Sequence, residues 1–155
     1  MTPCINTVKK ANIFFKIHEY THDSSVKSYG LEAVTKLNIK EERVFKTLIV
    51  NIGDKELITC VIPVSSQLNM KLVSKAMGVK KASMAEKSDV EKSTGYILGG
   101  VSPIGQKKRL KTIIDSSAKQ HKSIFISAGR RGLEIEVKPQ DLQKVINGTF
   151  SEICC

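Results

Sequence analysis

The strongest constraint in this chain is a pair of apolar, β-branched runs joined by a tight turn. Val44–Ile52 reads VFKTLIVNI, Gly53-Asp54 follows, and Glu56–Ile62 reads ELITCVI. Two such runs separated by Gly-Asp specify an antiparallel hairpin. The period of two along the first run puts Val44, Lys46, Leu48 and Val50 on one face. Lys46 therefore shares a face with apolar residues. A half-buried ammonium is costly unless it is paired or used. The alternatives are that this face meets solvent near the strand start, or that the lysine reaches water along its own stem.

Around the hairpin, helical and extended patterns are interspersed. Thr2 as N-cap and Pro3 at the first helical position open a helix to about Asn12, with Ile5 and Val8 inward. Phe14–Tyr20 alternates and reads as a strand, and His22–Ser25 is loop chemistry. Tyr29–Leu37 reads as a helix with Leu31, Val34 and Leu37 inward, and Glu41–Arg43 as a polar turn. Asn69–Met77 reads as a helix with Leu72, Val73, Ala76 and Met77 inward, closed by Gly78. Ala85–Thr94 is a polar helix. Lys111–Asp115, Ser123–Ser127 and Leu133–Val137 read as strands, the last two flanking the basic turn Gly129-Arg130-Arg131-Gly132. Pro139 starts a final helix with Leu142, Val145 and Ile146 inward, stopped by Asn147-Gly148. About six strands and five helices in mixed order predict an α/β protein with a strongly curved mixed sheet or barrel-like β core and helices packed outside. A length of 155 residues suits one domain spanning 1–155.

The stretch Ser93–Arg109, STGYILGGVSPIGQKKR, cannot be an ordinary helix or central strand. Gly99-Gly100 allows close approach to the backbone, and Pro103 pushes Ser102 into an extended conformation. Such a loop can turn backbone N–H groups towards a carbonyl or phosphate oxygen. Equally, it can be a tight surface turn in which Ser102 caps the bend and Lys107-Lys108-Arg109 is simply solvated. The spacing is neither that of a P-loop nor that of a dinucleotide fingerprint.

Lysine and arginine exceed aspartate and glutamate by 25 to 15, a net charge of +10. This favours a polyanionic partner such as RNA, or else marks a merely basic surface. Trp is absent, which argues against an extended base-stacking platform. Cys4, Cys60, Cys154 and Cys155 form no C-x-x-C pair and have no metal-like spacing with His18, His22 or His121, so neither a metal nor a cofactor is expected. Cys60 sits in an apolar run and reads as a buried thiol. With no signal peptide and no long apolar run, a reduced, cytoplasmic protein without a membrane partner is expected. No Ser-His-Asp or Cys-His set can be placed together.

Thr2-Pro3, HEYTHD (His18–Asp23), VFKTLIV (Val44–Val50), STGYILGGVSPIGQKKRL (Ser93–Leu110) and RRGLEIE (Arg131–Glu136) together resemble the bacterial aminoacyl-tRNA editing domain family of the YbaK type. The similarity spans nearly the whole chain and is greatest to its free-standing Cys-tRNA(Pro) deacylases. It implies hydrolysis of the ester joining a wrong amino acid to tRNA, with tRNA as partner and prolyl-tRNA synthetase alongside. It also implies that Lys46, Gly100 and Ser102 serve catalysis. Tyr20, Tyr29, Thr47, Gly99, Val101, Pro103 and Glu134 would hold the substrate, and Lys107, Lys108, Arg109, Arg130 and Arg131 would contact tRNA. Family members often carry Asp where this chain has Glu134. The resemblance further implies attack by the substrate's own cysteine thiol; a water positioned by Lys46 and the loop is the competing mechanism. An Ala-tRNA(Pro)-type deacylase and a non-catalytic tRNA- or synthetase-binding module are the alternative functions.

Overall fold

The computed structural model describes every residue except Lys27, and every side chain except those of Lys27 and Tyr29. The hairpin forms as its pattern requires. Strand β2 (Phe45–Ile52) pairs antiparallel with β3 (Glu56–Pro63), from Phe45 opposite Pro63 to Ile52 opposite Glu56. Gly53 makes the turn with φ +68°, a conformation that glycine adopts without steric cost. Before the hairpin come α1 (Pro3–Ala11), β1 (Phe15–Glu19) and α2 (Tyr29–Leu37). After it come α3 (Met70–Met77), β4 (Ala82–Met84), α4 (Lys87–Thr94), β5 (Lys111–Asp115), β6 (Ile124–Arg130), β7 (Leu133–Val137), α5 (Pro139–Ile146) and β8 (Thr149–Ser151). Single 3-10 turns occupy Glu41–Arg43 and Ser116–Gln120.

Two strands exceed the expected set. Strands β4 and β8 have three residues each, too short to show a period, and they form the two edges of the larger sheet. That sheet runs β4-β2-β3-β5-β8; the smaller runs β1-β7-β6. The larger one is mixed, because β3, β5 and β8 run parallel while β2 is antiparallel to β3 and β4. A bridge between Val44 and Phe125 joins the two sheets, so the β structure curves without closing into a barrel.

The alternation along the hairpin sends residues to two cores. Phe45, Ile49 and Val61 face a cluster with Ile5 and Val8 of α1, Ile126, Ile135 and Leu142. Val50, Ile52, Ile58, Cys60 and Ile62 face a second cluster with Val73, Ile113 and Ile153. Strand β3 is thus buried on both faces, as a strand flanked by parallel and antiparallel neighbours should be. Burying each of these aliphatic side chains stabilises the fold by about 1.5–3 kcal/mol.

Two helices sit differently from their sequence pattern. In α2, Leu31 is 45% exposed while Glu32 and Ala33 are buried. The helix turns this way because the Glu32 carboxylate is drawn inward by the Nδ1 of His22 at 2.6 Å and the backbone N–H of Asp23 at 2.7 Å. In α3 the packed stripe is Met70, Val73 and Met77, and Ala76 faces solvent. That helix has only two turns and presents one narrow edge to the sheet.

Candidate active site

Strand β4 covers the edge of β2 only at Val50–Ile52. The uncovered edge at Lys46–Leu48 borders a cavity of about 330 Å³ where the two sheets meet. From β2 come Lys46, Thr47 and Leu48; from the smaller sheet come Ser127, Arg130 and Glu134, and from its β6–β7 turn Arg131. Tyr20, just after β1, and Gly99 and Val101 of the glycine loop complete the wall. These elements are far apart in sequence, and the fold brings them to one place.

The glycine loop is held against the β6–β7 turn. A Cβ on Gly100 would lie 2.8 Å from the Cα of Arg130, so only glycine lets the two backbones approach. Tyr96 is buried and donates its hydroxyl to the carbonyl of Ile104 at 2.6 Å. The Oγ of Ser102 accepts from the N–H of Ile104 at 3.2 Å, and the carbonyl of Ser102 accepts from Gln106 Nε2 at 3.0 Å. Gly100 gives its own N–H to the carbonyl of Ile97 at 2.9 Å. Gly100, Ser102 and Pro103 are therefore buried behind the cavity wall, with Ser102 beside Cys4 of α1. Gly99 and Val101 do line the cavity. Among the described residues their N–H groups take no hydrogen-bond partner.

The cavity holds a cation and a buried acid. The Lys46 ammonium makes no ion pair or hydrogen bond among the described residues. Glu134 is 7% exposed and its carboxyl likewise has no hydrogen bond among them, so burial pushes it up to about 8. Burial, and then the nearby Glu134, pushes the Tyr20 phenol up to about 12. The hydroxyl of Thr47 is buried without a partner among the described residues. Arg130 is turned outward, 3.8 Å from Glu19, and Arg131 donates to the carbonyl of Val26 at 3.3 Å.

That last bond helps hold the segment ahead of α2; Ser28 from that segment and Gly30 from the first turn of α2 also line the cavity. The Glu32 contacts fix the same segment, and Lys36 pairs with Glu32 at 3.2 Å while donating to the carbonyl of Thr21. Burial raises the Glu32 carboxyl, but the Asp23 N–H, His22 and Lys36 outweigh it and hold the group below the ordinary carboxylate range.

Of the residues singled out in the sequence, Tyr20, Lys46, Thr47, Gly99, Val101, Arg130, Arg131 and Glu134 converge here. The side chain of Tyr29 lies outside the described residues. Lys107 and Lys108 are exposed beyond the cavity, their N–H groups bonded to the carbonyls of Thr94 and Ser93. Arg109 lines a separate cleft with Met77, Ile146 and Phe150. Sequence reasoning passed over Ser28, Gly30, Leu98 and Ser127. It had a signal for Leu48, which shares the face of Lys46; the others are placed by tertiary contacts.

Comparison with known proteins agrees with this architecture. The family pattern "Aminoacyl-tRNA editing domain" matches residues 23–145. A protein of Enterococcus faecalis, EbsC, provisionally named a Cys-tRNA(Pro)/Cys-tRNA(Cys) deacylase, is 38% identical over 154 residues, covering 98% of this chain and 92% of that one. An uncharacterized Bacillus subtilis protein, YwhH, is 26% identical over 122 residues, covering 79% of this chain and 75% of that one. A crystal structure described as a provisional trans-editing enzyme for prolyl-tRNA synthetase superposes with a TM-score of 0.85 at 16% identity, covering 100% of this chain and 99% of that one, which shows a shared fold. With the family pattern over most of its length and EbsC matched nearly end to end, this chain belongs to the aminoacyl-tRNA editing domain family.

Proposed function

We propose that this protein is a cytoplasmic trans-editing hydrolase, one domain over residues 1–155, that cleaves the ester of mischarged aminoacyl-tRNA, with Cys-tRNA(Pro) as its main substrate. The observation that carries the reading is the meeting of Lys46, Gly99, Val101 and the buried Glu134 in one small cavity. Membership of the editing family and the name of the Enterococcus relative support the reaction class and the amino acid.

Each group has a role that its chemistry suits. Ester cleavage builds negative charge on the carbonyl oxygen, and fixed donors placed there lower the barrier. Lys46 supplies a cation for the carbonyl or the terminal ribose and phosphate, and Gly99 and Val101 supply amide donors. Glu134 lies deep in the wall and faces the α-ammonium of the amino acid; an arriving cation favours its carboxylate form. Tyr20 and Thr47 bound the side-chain pocket. Gly100, Ser102 and Pro103 act through the loop, by holding its backbone against Arg130. Arg130 and Arg131 line the same cavity and are the arginines this reading assigns to the acceptor end.

The described lining residues include no histidine or cysteine, so an enzyme nucleophile with a paired base is not evident. The substrate thiol can take that part. Its sulfur attacks the ester carbonyl, the carbon–oxygen bond to the ribose breaks, and the ribose oxygen takes up the thiol proton. Water then opens the resulting thiolactone to free cysteine. A hydrophobic pocket rejects near-isosteres poorly, and a reaction that needs a thiol adds discrimination that size alone does not. Prolyl-tRNA synthetase is the partner this reading places alongside.

The test is release of radiolabelled amino acid from Cys-tRNA(Pro) and Ala-tRNA(Pro), with wild type and Lys46→Ala. The reading expects cysteine to be released faster than alanine and Lys46→Ala to be inactive yet folded. Faster release of alanine would remove the thiol step. Binding of tRNA without release of either amino acid would leave a non-catalytic module.

A further inference from the structure

A second basic surface lies outside the cavity. A cleft of about 620 Å³ opens between α3, the turn after it and β4. It is lined by Lys71, Lys75, Lys80 and Lys81, with the hydroxyls of Ser74 and Ser83 between them. All four lysines are exposed, and among the described residues no acidic side chain lines the cleft. Among the described residues none of the four makes an ion pair. Lys71 and Lys75 stand one helical turn apart, a like-charge spacing that weakens a helix. Lys80 and Lys81 add charge to the same concave surface. Folding gains nothing from this clustering, whereas a polyanion would neutralise it.

The position of the cleft relative to the cavity identifies the polyanion. The cavity opens on the edge of β2 at Lys46–Leu48, and β4 pairs with that same edge at Val50–Ile52. Lys46 lines the cavity and Asn51 lines the cleft. Five residues of extended strand separate them by about 17 Å. A nucleic acid whose 3′ end enters the cavity can therefore lay its backbone along this edge and reach the cleft within a few nucleotides. Lysines and hydroxyls without aromatic side chains suit phosphate and sugar contacts rather than base reading, which is how double-stranded RNA is bound.

We propose that the Lys71/Lys75/Lys80/Lys81 cleft is a docking surface for the phosphate backbone of the same tRNA whose aminoacyl end occupies the cavity. This rests on the editing function proposed above. The surface holds the acceptor arm without reading its sequence, so selection of the substrate falls to the aminoacyl end.

The experiment compares wild type with the quadruple Lys→Glu variant and the quadruple Lys→Ala variant at these positions. Two substrates are used: full-length Cys-tRNA(Pro), and a cysteinyl ester of adenosine, a single nucleoside that cannot span the distance to the cleft. KM for Cys-tRNA(Pro) is expected to rise by about tenfold or more at about 100 mM salt, with kcat unchanged. The dependence of log(kcat/KM) on log salt should become shallower by about 3 to 4, close to one for each lysine–phosphate pairing removed. Hydrolysis of the adenosine ester should be unaltered. An unchanged KM and salt slope on tRNA overturns the proposal. So does an equal loss on both substrates in the alanine variant, since that reports damage to the cavity. If wild type cleaves neither substrate, the editing reading has failed separately. Filter retention of uncharged tRNA then decides the cleft by itself: weaker retention by the variants supports it, and equal retention overturns it.

Discussion

Replacing Glu134 by Gln tests the electrostatics of the cavity directly. The folded protein holds this carboxyl near 8, against an ordinary value of 4.5, because β7 buries it and no hydrogen bond among the described residues supports its charge. The fold therefore binds this proton more tightly than the unfolded chain does. Its stabilising contribution is complete below pH 4.5 and is lost as pH rises towards 8. At 1.36 kcal/mol per pH unit, the full loss over that window is about 5 kcal/mol. Water entering the cavity reduces this, and we expect about 2–3 kcal/mol. Three other carboxyls act in the opposite direction. Asp23, Glu32 and Glu136 are held below their ordinary values, so the stability they add is present above those values and lost as pH falls through the lowered ones. Wild-type stability should thus peak near pH 5 and decline to pH 8. Glu134→Gln keeps the shape of the side chain and removes its proton, so its profile should be flat over the same range. The assay is urea unfolding of both proteins at pH 4.5, 6, 7 and 8. The variant should match wild type at the lowest pH and exceed it by about 2–3 kcal/mol at the highest. Parallel profiles would refute the reasoning, because they would mean that the carboxyl is solvated or paired in the folded state.

The remaining predictions concern the loop, the segment ahead of α2 and the thiols. Gly100→Ala pushes the glycine loop away from Arg130, so it should lower stability by about 1–3 kcal/mol and reduce kcat/KM on Cys-tRNA(Pro) by more than stability alone explains, as measured by urea melts and single-turnover deacylation. Glu32→Ala removes the carboxylate that joins His22, Asp23 and Lys36, and should cost about 2 kcal/mol while raising proteolytic cleavage between Thr21 and Ser28. In a thiol-labelling experiment Cys155, which is exposed, should react first. Cys4 and Cys60 should react only on unfolding, since burial raises them to about 11 and about 12; rapid labelling of either in the native protein would contradict the packing described here.

Local and periodic features were legible in the chain. The β2–β3 hairpin followed from two apolar runs and a Gly-Asp turn, because side chains in a strand alternate with a fixed period of two. The same period exposed Lys46 as a charge on an apolar face. Helix ends were legible where a cap residue has a short-range job, as with Thr2, whose Oγ accepts from the N–H of Ile5, and Gly78, which closes α3 in the left-handed conformation. Tertiary packing settled the rest. Strands β4 and β8 exist because longer neighbours offer them unpaired edges. Leu31 faces solvent because Glu32 is drawn inward by groups on the preceding loop. Ser102, whose type suggests chemistry, is buried behind the wall, while Glu134 acquires its altered carboxyl from burial that no local pattern records. The cavity joins β2, the glycine loop and the β6–β7 turn, and the energy that brings them together comes from contacts between residues distant in sequence. Such contacts leave no mark on spacing or period, so the residue types were readable in the chain and their meeting place was not.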